Sequence, residues 1–264
     1  MSSIVVPIIF LAVAGLVCGL ALSVCAKFFA VKEDPRIGKV ASALPGANCG
    51  GCGYAGCAAY AAAVVKDGAP TNRCIPGGST SAKKIAEIMG VSAESSEKMT
   101  AFVPCSGCEG AAEPRFSYNG PQDCRSAMLF GGKSNKLCTF ACIGMGNCVK
   151  ACQFDAMHIV NGVAKVDRSA CVGCGACADA CPKSIISLIP ASQKVMPTCS
   201  NKDKGAKVMK MCSVGCIGCM KCQRECPAQA IVVKDALAII DTAKCTQCGH
   251  CAEICPRHII NVLD

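Results

Sequence analysis

The stretch Cys216-Ile217-Gly218-Cys219-Met220-Lys221-Cys222-Gln223-Arg224-Glu225-Cys226-Pro227 is answered downstream by Cys245-Thr246-Gln247-Cys248-Gly249-His250-Cys251-Ala252-Glu253-Ile254-Cys255-Pro256. Each half has the form C-x2-C-x2-C-x3-C-P. Three cysteines so spaced can wrap one face of a cubane while the chain turns tightly, and the fourth then reaches a second cluster. The expected ligands of one [4Fe-4S] cluster are therefore Cys216, Cys219, Cys222 and Cys255. Cys226, Cys245, Cys248 and Cys251 are expected to hold its partner. Proline after each fourth cysteine suits the end of a turn, because it has no N–H to satisfy. Structural zinc is the competing use of clustered thiolates, but zinc knuckles rarely show this triple spacing with a trailing proline.

This is the spacing of a bacterial two-cluster ferredoxin, and the chain carries it twice. Residues 138–190 align on 212–264 without a gap, so that Cys142, Cys148 and Cys152 meet Cys216, Cys222 and Cys226. Cys171, Cys174, Cys177 and Cys181 likewise meet Cys245, Cys248, Cys251 and Cys255. The expected organisation is two tandem ferredoxin-like domains, 138–190 and 212–264, of α+β class. Short apolar runs at 156–160 and 163–166 flank Asn161-Gly162, a strong hairpin signal. Their counterparts are 230–233 and 236–240, and 185–189 and 259–263 supply a further strand each.

One ligand position is broken. Met145 stands where the second repeat has Cys219, and Gln153 stands where it has Pro227. A thioether is a poor ligand for cluster iron, so a thiolate from elsewhere is needed unless the cluster is a three-iron species. Cys138, four residues before Cys142, is the expected substitute. That gives Cys138, Cys142, Cys148 and Cys181 for one cluster, and Cys152, Cys171, Cys174 and Cys177 for the other.

A further four-thiolate motif precedes the repeats: Cys49, Cys52 and Cys57, with Cys74 after them, in the glycine-rich segment CGGCGYAGC. The glycines let the backbone fold closely around a cluster and aim N–H groups at its sulfurs. Zinc is the alternative here too. Residues 58–65 read as a helix leading towards Cys74, and 81–89 as an amphipathic helix packed on this small unit, whose expected bounds are 33–95. Residues 96–137 show no convincing period and read as a loop-rich insert. Five clusters use twenty of the 27 cysteines. With Cys18 and Cys25 of the apolar N-terminal run set aside, Cys105, Cys108, Cys124, Cys199 and Cys212 are left over, enough for a sixth site that nothing in the spacing compels.

The composition fits small units held by ligation. There are 26 glycines, no tryptophan and only 4% aromatic residues, so a large aromatic core is not available. Disulfides would imply an oxidising compartment, whereas cysteines two apart are better cluster ligands than disulfide partners. The formal charge is +9, which suits an acidic protein partner or a membrane surface. No nucleic-acid motif or aromatic stacking platform accompanies it, so no nucleic acid is expected. Within the basic linker 191–211, Lys194, Lys202, Lys204, Lys207 and Lys210 form either a solvated loop or a docking patch. His158, His250 and His258 do not recur between repeats and read as surface or tuning residues.

Residues 4–26 carry no charge, a run long enough to cross a bilayer as a helix and here expected as a transmembrane anchor within 1–30. Cys18 and Cys25 inside it read as apolar packing residues. Lys27, Lys32, Arg36 and Lys39 follow it, which places the N-terminus outside and the cluster domains in the cytoplasm. No P-loop, dinucleotide fingerprint or activated nucleophile is present, so no bond chemistry is expected of the isolated chain.

The order of parts, a membrane helix, then LPGANCGGCGYAGC, then CTFACIGMGNCVKAC and CSVGCIGCMKCQRECP, resembles the B subunit of the Rnf complex over nearly the whole chain. That resemblance implies an iron–sulfur component of an ion-translocating ferredoxin:NAD+ oxidoreductase, exporting Na+ or H+. It implies soluble ferredoxin as electron donor and other Rnf subunits and the membrane as partners, with flavin and nicotinamide sites elsewhere. A polyferredoxin component of another membrane dehydrogenase or hydrogenase is the nearest alternative. A zinc-structured or metal-storage scaffold is a more distant one.

Overall fold

The computed structural model describes residues 2–28, 34–92, 97–131 and 134–263. The first element, α1 (Ser2–Phe28), is followed by α2 (Pro35–Ser42), α3 (Cys57–Lys66) and α4 (Gly78–Met89). Side chains of α1 are described only at 8–10 and 12–24, and these are almost all exposed. Val13 and Leu22 stand on opposite sides of the helix axis, and both face outward. Among the described residues no helix is long and apolar enough to cross a membrane. Several side chains of the expected span over 4–26 lie outside the described residues, as do those of Cys25 and Lys27 and the whole of Lys32.

Helices α2 to α4 close a small unit over Val40, Tyr60, Val64 and Ile85. Asp34 starts α2 by accepting the Arg36 N–H at 2.8 Å, with proline at the first helical position, where its missing donor costs nothing. Gly90 ends α4 in the left-handed conformation that favours glycine. Ser81 donates to the Ala43 carbonyl at 2.8 Å and ties α4 to the end of α2.

The remaining chain runs β1 (Met99–Phe102), α5 (Cys124–Gly131), α6 (Asn147–Ala151), β2 (Met157–Val160), β3 (Val163–Val166), α7 (Ala176–Ala180), β4 (Ser187–Pro190) and β5 (Val195–Pro197). It continues with α8 (Gly205–Met211), α9 (Lys221–Arg224), β6 (Ile231–Lys234), β7 (Leu237–Ile240), α10 (His250–Glu253) and β8 (Ile260–Val262). The repeat is visible in the backbone itself. Left-handed residues recur in matching places: Asp155 with Gln229, Asn161 with Asp235, Gly162 with Ala236, and Ser184 with His258. Asn161-Gly162 and Asp235-Ala236 both have the two positive φ values of a type I′ turn, which matches the twist of the hairpins β2–β3 and β6–β7.

The third strand of each repeat pairs outside its own repeat. β4 runs antiparallel to β1, with Met99 opposite Pro190, and β8 runs antiparallel to β5, with Val195 opposite Val262. The expected loop-rich insert and basic linker therefore each contribute a sheet strand. The insert also contributes α5. These pieces are too short, at three to eight residues, to display a period. The two cores are centred on Met157, Val163 and Ala164 in the first repeat, and on Ile231, Ile259 and Ile260 in the second.

Candidate metal centres

The segment before α3 turns so that Cys49, Cys52, Cys57 and Cys74 line one hollow, walled by Leu44, Pro45 and Tyr60. Asn48 accepts the Cys57 N–H at 2.8 Å and fixes the turn to the start of α3. Tyr60 is buried; its hydroxyl donates to Pro70 O at 2.6 Å and accepts from Arg73 N at 3.2 Å, which brings the following loop and Cys74 back. Burial pushes the Tyr60 hydroxyl up to about 12. Burial also pushes the Cys74 thiol up, and the neighbouring Cys57, Cys52 and Cys49 thiols add to it.

In the first repeat Cys152, Cys171, Cys174 and Cys177 line a second hollow. Ala156 N donates to Cys152 Sγ at 3.4 Å, and Ala101 N, from the insert strand β1, donates to Cys171 Sγ at 3.3 Å. Burial pushes Cys177 up to about 11, with Cys171, Cys174 and Cys152 adding to it.

A third hollow differs from expectation in one corner. It is lined by Cys142, Cys148, Cys181 and Cys124, not Cys138. Cys124 opens α5, where Asp123 caps the helix by accepting the Ser126 N–H at 2.7 Å. Asn147, at the start of α6, accepts the Cys124 N–H at 2.7 Å and donates to Asp123 at 2.7 Å, holding Cys124 beside Cys148. Met145 packs against this helix with Cys124, Ala127 and Ile143. The thioether thus seats α5, and α5 brings in a thiol where the repeat has lost one. Burial pushes Cys148 up to about 12, with Cys142, Cys124, Cys181 and Cys177 adding to it.

Cys138 lies instead in a fourth hollow, together with Cys105, Cys199 and Cys212. Asn201 Nδ2 donates to Cys138 Sγ at 3.2 Å in this hollow.

In the second repeat the thiols of Cys216, Cys255 and Cys219 bear on Cys222, and those of Cys245, Cys248 and Cys226 on Cys251. Burial comes first in both cases and pushes each to about 11. Amides donate to sulfur here as well, Ala230 N to Cys226 at 3.4 Å and Gln247 N to Cys245 at 3.4 Å. Cys219 and Cys248 are exposed.

Among the described residues no three His, Cys, Asp or Glu side chains converge as the ligands of a single metal ion would. Four thiols around one hollow, with backbone amides aimed at several of the sulfurs, are the donor set that a [4Fe-4S] cluster takes. A cluster bound there supplies reversible one-electron transfer, while the protein's burial and hydrogen bonds set its potential. Cys108 packs against the first-repeat core and lines none of these hollows, and Cys18 is exposed on α1. Cys124, which spacing alone does not single out, has one local signal: Asp123-Cys124 heads a helix too short to show a period.

Comparison with known sequences agrees with this donor set. Residues 141–186 and 215–260 match the 4Fe-4S dicluster domain family, 170–230 match a second family of that description, and 44–76 match an Fe-S cluster family. The protein is thus a multi-cluster iron–sulfur electron-transfer protein with tandem ferredoxin-like domains. It is 44% identical to the B subunit of the ion-translocating oxidoreductase complex of Methanosarcina acetivorans, over 99% of this chain and 100% of that one. The B subunit of the Na(+)-translocating ferredoxin:NAD(+) oxidoreductase complex of Acetobacterium woodii is 45% identical, over 99% of this chain and 78% of that one. The proton-translocating counterpart of Clostridium ljungdahlii is 42% identical, over 100% and 94%. The chain belongs to the family of B subunits of ion-translocating oxidoreductase complexes.

Proposed function

We propose that the chain is the electron-relaying B subunit of an ion-translocating ferredoxin:NAD+ oxidoreductase, holding [4Fe-4S] clusters and taking electrons from reduced ferredoxin. The ligand sets are Cys49, Cys52, Cys57 and Cys74; Cys152, Cys171, Cys174 and Cys177; Cys124, Cys142, Cys148 and Cys181; Cys216, Cys219, Cys222 and Cys255; and Cys226, Cys245, Cys248 and Cys251. Cys124 takes the corner that sequence spacing gives to Cys138.

The observation that carries the relay is the closeness of successive sites. The Cys49 thiol raises the pKa of Cys174, after burial. Gly51 lies so close to the Cys174 carbonyl that a Cβ there would meet it at 2.7 Å. Cys177 bears on Cys148 within the first repeat, and Cys251 bears on Cys222 within the second. Exposure of Cys219 and Cys248 supports arrival of electrons at the second repeat, and the small N-terminal unit is then where they leave. The exposed lysines of 194–210 fit a docking surface for an acidic donor.

The apolar run of α1 and its outward-facing Val13, Leu16 and Leu20 support a membrane anchor. Arg36 and Lys39 after it support a cytoplasmic location for the cluster domains, with the N-terminus outside. The partners in this reading are the membrane, the other Rnf subunits and soluble ferredoxin.

The test is Cys52→Ala in the assembled complex. Reduced ferredoxin should still bleach the tandem repeats while membrane-coupled turnover stops. Unimpaired turnover would rule out the proposed direction. Ferredoxin bleaching that does not slow at high salt would remove the docking role of the lysines.

A further inference from the structure

The two repeats face each other across a seam that holds four further cysteines, one pair from each side. Cys105 follows strand β1 and Cys199 follows strand β5, the two strands that complete the sheets of the first and second repeats. Cys138 and Cys212 occupy matching places at the heads of those repeats. Cys142 N donates to Cys105 Sγ at 3.4 Å, and its counterpart Cys216 N donates to Cys199 Sγ at 3.3 Å. The seam therefore has an internal two-fold likeness, with two equivalent thiols from each side around one hollow.

The seam is built rather than incidental. Ser106 N donates to Thr198 O at 3.0 Å, and Ser106 Oγ to Thr198 Oγ1 at 2.7 Å, so the segments after β1 and β5 are stitched side by side. Ala112 forms a β-bridge with Cys212, flanked by Ser213 N to Ala111 O at 2.8 Å and Glu113 N to Met211 O at 2.9 Å. Gly107 lines the same hollow: a Cβ there would be in ordinary contact with Cys212 Sγ at 3.5 Å and Cys105 Sγ at 3.7 Å, and tight, at 3.2 Å, only against Ala112 Cβ. Cys105, Cys138 and Cys212 are buried and Cys199 is half-buried. Their local spacings follow no ligand motif, and all four converge only because the repeats dock.

We infer that Cys105, Cys138, Cys199 and Cys212 hold a sixth [4Fe-4S] cluster, which bridges the two ferredoxin-like repeats. The inference rests on the cluster reading of the other five sites and adds the one link they lack. Cys105 accepts a hydrogen bond from the Cys142 amide and Cys199 from that of Cys216, so the seam site touches one site of each repeat. With it, the sites form an unbroken series from the N-terminal unit to the exposed end of the second repeat.

The experiment is metal and sulfide analysis of the full-length chain, isolated anaerobically in its complex, for wild type and for the variants Cys199→Ala, Cys212→Ala and Cys108→Ala. Wild type should hold iron and acid-labile sulfide for six clusters. Each of the first two variants should lose about one-sixth of both, and Cys108→Ala should lose none. If the seam variants do not fold, the wild-type ratio still decides. Iron for five clusters, or five plus one zinc, overturns the seam site and leaves the other sites standing. Wild type without iron overturns the cluster reading as a whole.

Discussion

The two ferredoxin-like repeats share a backbone and differ in what covers them. In the second repeat the outward corners, Cys219 and Cys248, are bare. In the first, the place of Cys219 is taken by Met145 under α5, and the place of Cys248 by Cys174 under Gly51 of the N-terminal unit. The first repeat has its outward corners in contact with the rest of the chain, whereas the second leaves them exposed.

The largest expected effect follows from the proposed Cys124 ligand. Cys124→Ala should remove the cluster from the site of Cys142, Cys148 and Cys181 and cut electron passage between repeats. The loss should exceed the roughly 10–100-fold that outer-shell changes cost. Adding Met145→Cys should restore iron content and passage by giving the first repeat the pattern of the second. If the double variant stays as empty as the single, Met145 does not mark the vacated corner. Cys219→Ala offers the control, since no neighbouring helix supplies a replacement thiol there.

The second expectation concerns the covered corner. Gly51→Ala forces a Cβ to within 2.7 Å of the Cys174 carbonyl, so the N-terminal unit must shift off the first repeat. Overpacking of this kind costs about 1–3 kcal/mol. It should appear as a lower Tm and slower electron transfer beyond the first repeat, with the potentials of the second repeat unchanged. A shift in the second-repeat potentials would mean that the two ends are not independent.

Removing the clusters should expose a pH dependence that differs little between repeats. In the cluster-free chain, burial raises Cys148 of the first repeat to about 12 and Cys222 and Cys251 of the second to about 11. A raised thiol pKa contributes stability that is complete below the unfolded value of about 9 and is lost as pH rises through the folded value. The apo chain should therefore weaken between about pH 9 and pH 12, which alkaline denaturation followed by circular dichroism would check. Increasing stability over that interval would contradict the burial of these thiols.

Legibility in the sequence follows the range of the contact. The C-x2-C-x2-C spacing states which thiols share a turn, and the seventy-four-residue offset exposes the repeat, its hairpins and its broken position. Nearness along the chain assigns the replacement for Met145 to Cys138, whereas in the structure Cys124 lines the hollow of Cys142, Cys148 and Cys181, and Cys138 lines the seam. Asn201 donates to the Cys138 thiol in the seam, while Asp123 and Asn147 bring Cys124 from twenty-one residues upstream of Met145. The strands β1 and β5 are hidden for the same reason. Each is three or four residues long and becomes a strand only by pairing with the far end of a repeat.

The smallest effect tests electrostatics at a matched pair of lysines. Lys136 and Lys210 occupy equivalent places ahead of Cys138 and Cys212, but Lys136 is buried and Lys210 is exposed. Lys136 Nζ donates to Gly107 O at 2.8 Å and Gly162 O at 2.7 Å, and its charge opposes the burial that pushes Cys142 up. A fixed cation favours the reduced, more negative state of a nearby cluster and so raises its potential. A unit charge about 10 Å away in an effective dielectric of about 20 is worth ~1.7 kcal/mol, on the order of 70 mV for one electron. Lys136→Met should lower one first-repeat potential by tens of millivolts, while Lys210→Met, screened by water, should shift its neighbour by much less. Equal shifts in a redox titration followed by EPR would mean that burial of Lys136 does not distinguish the repeats electrically.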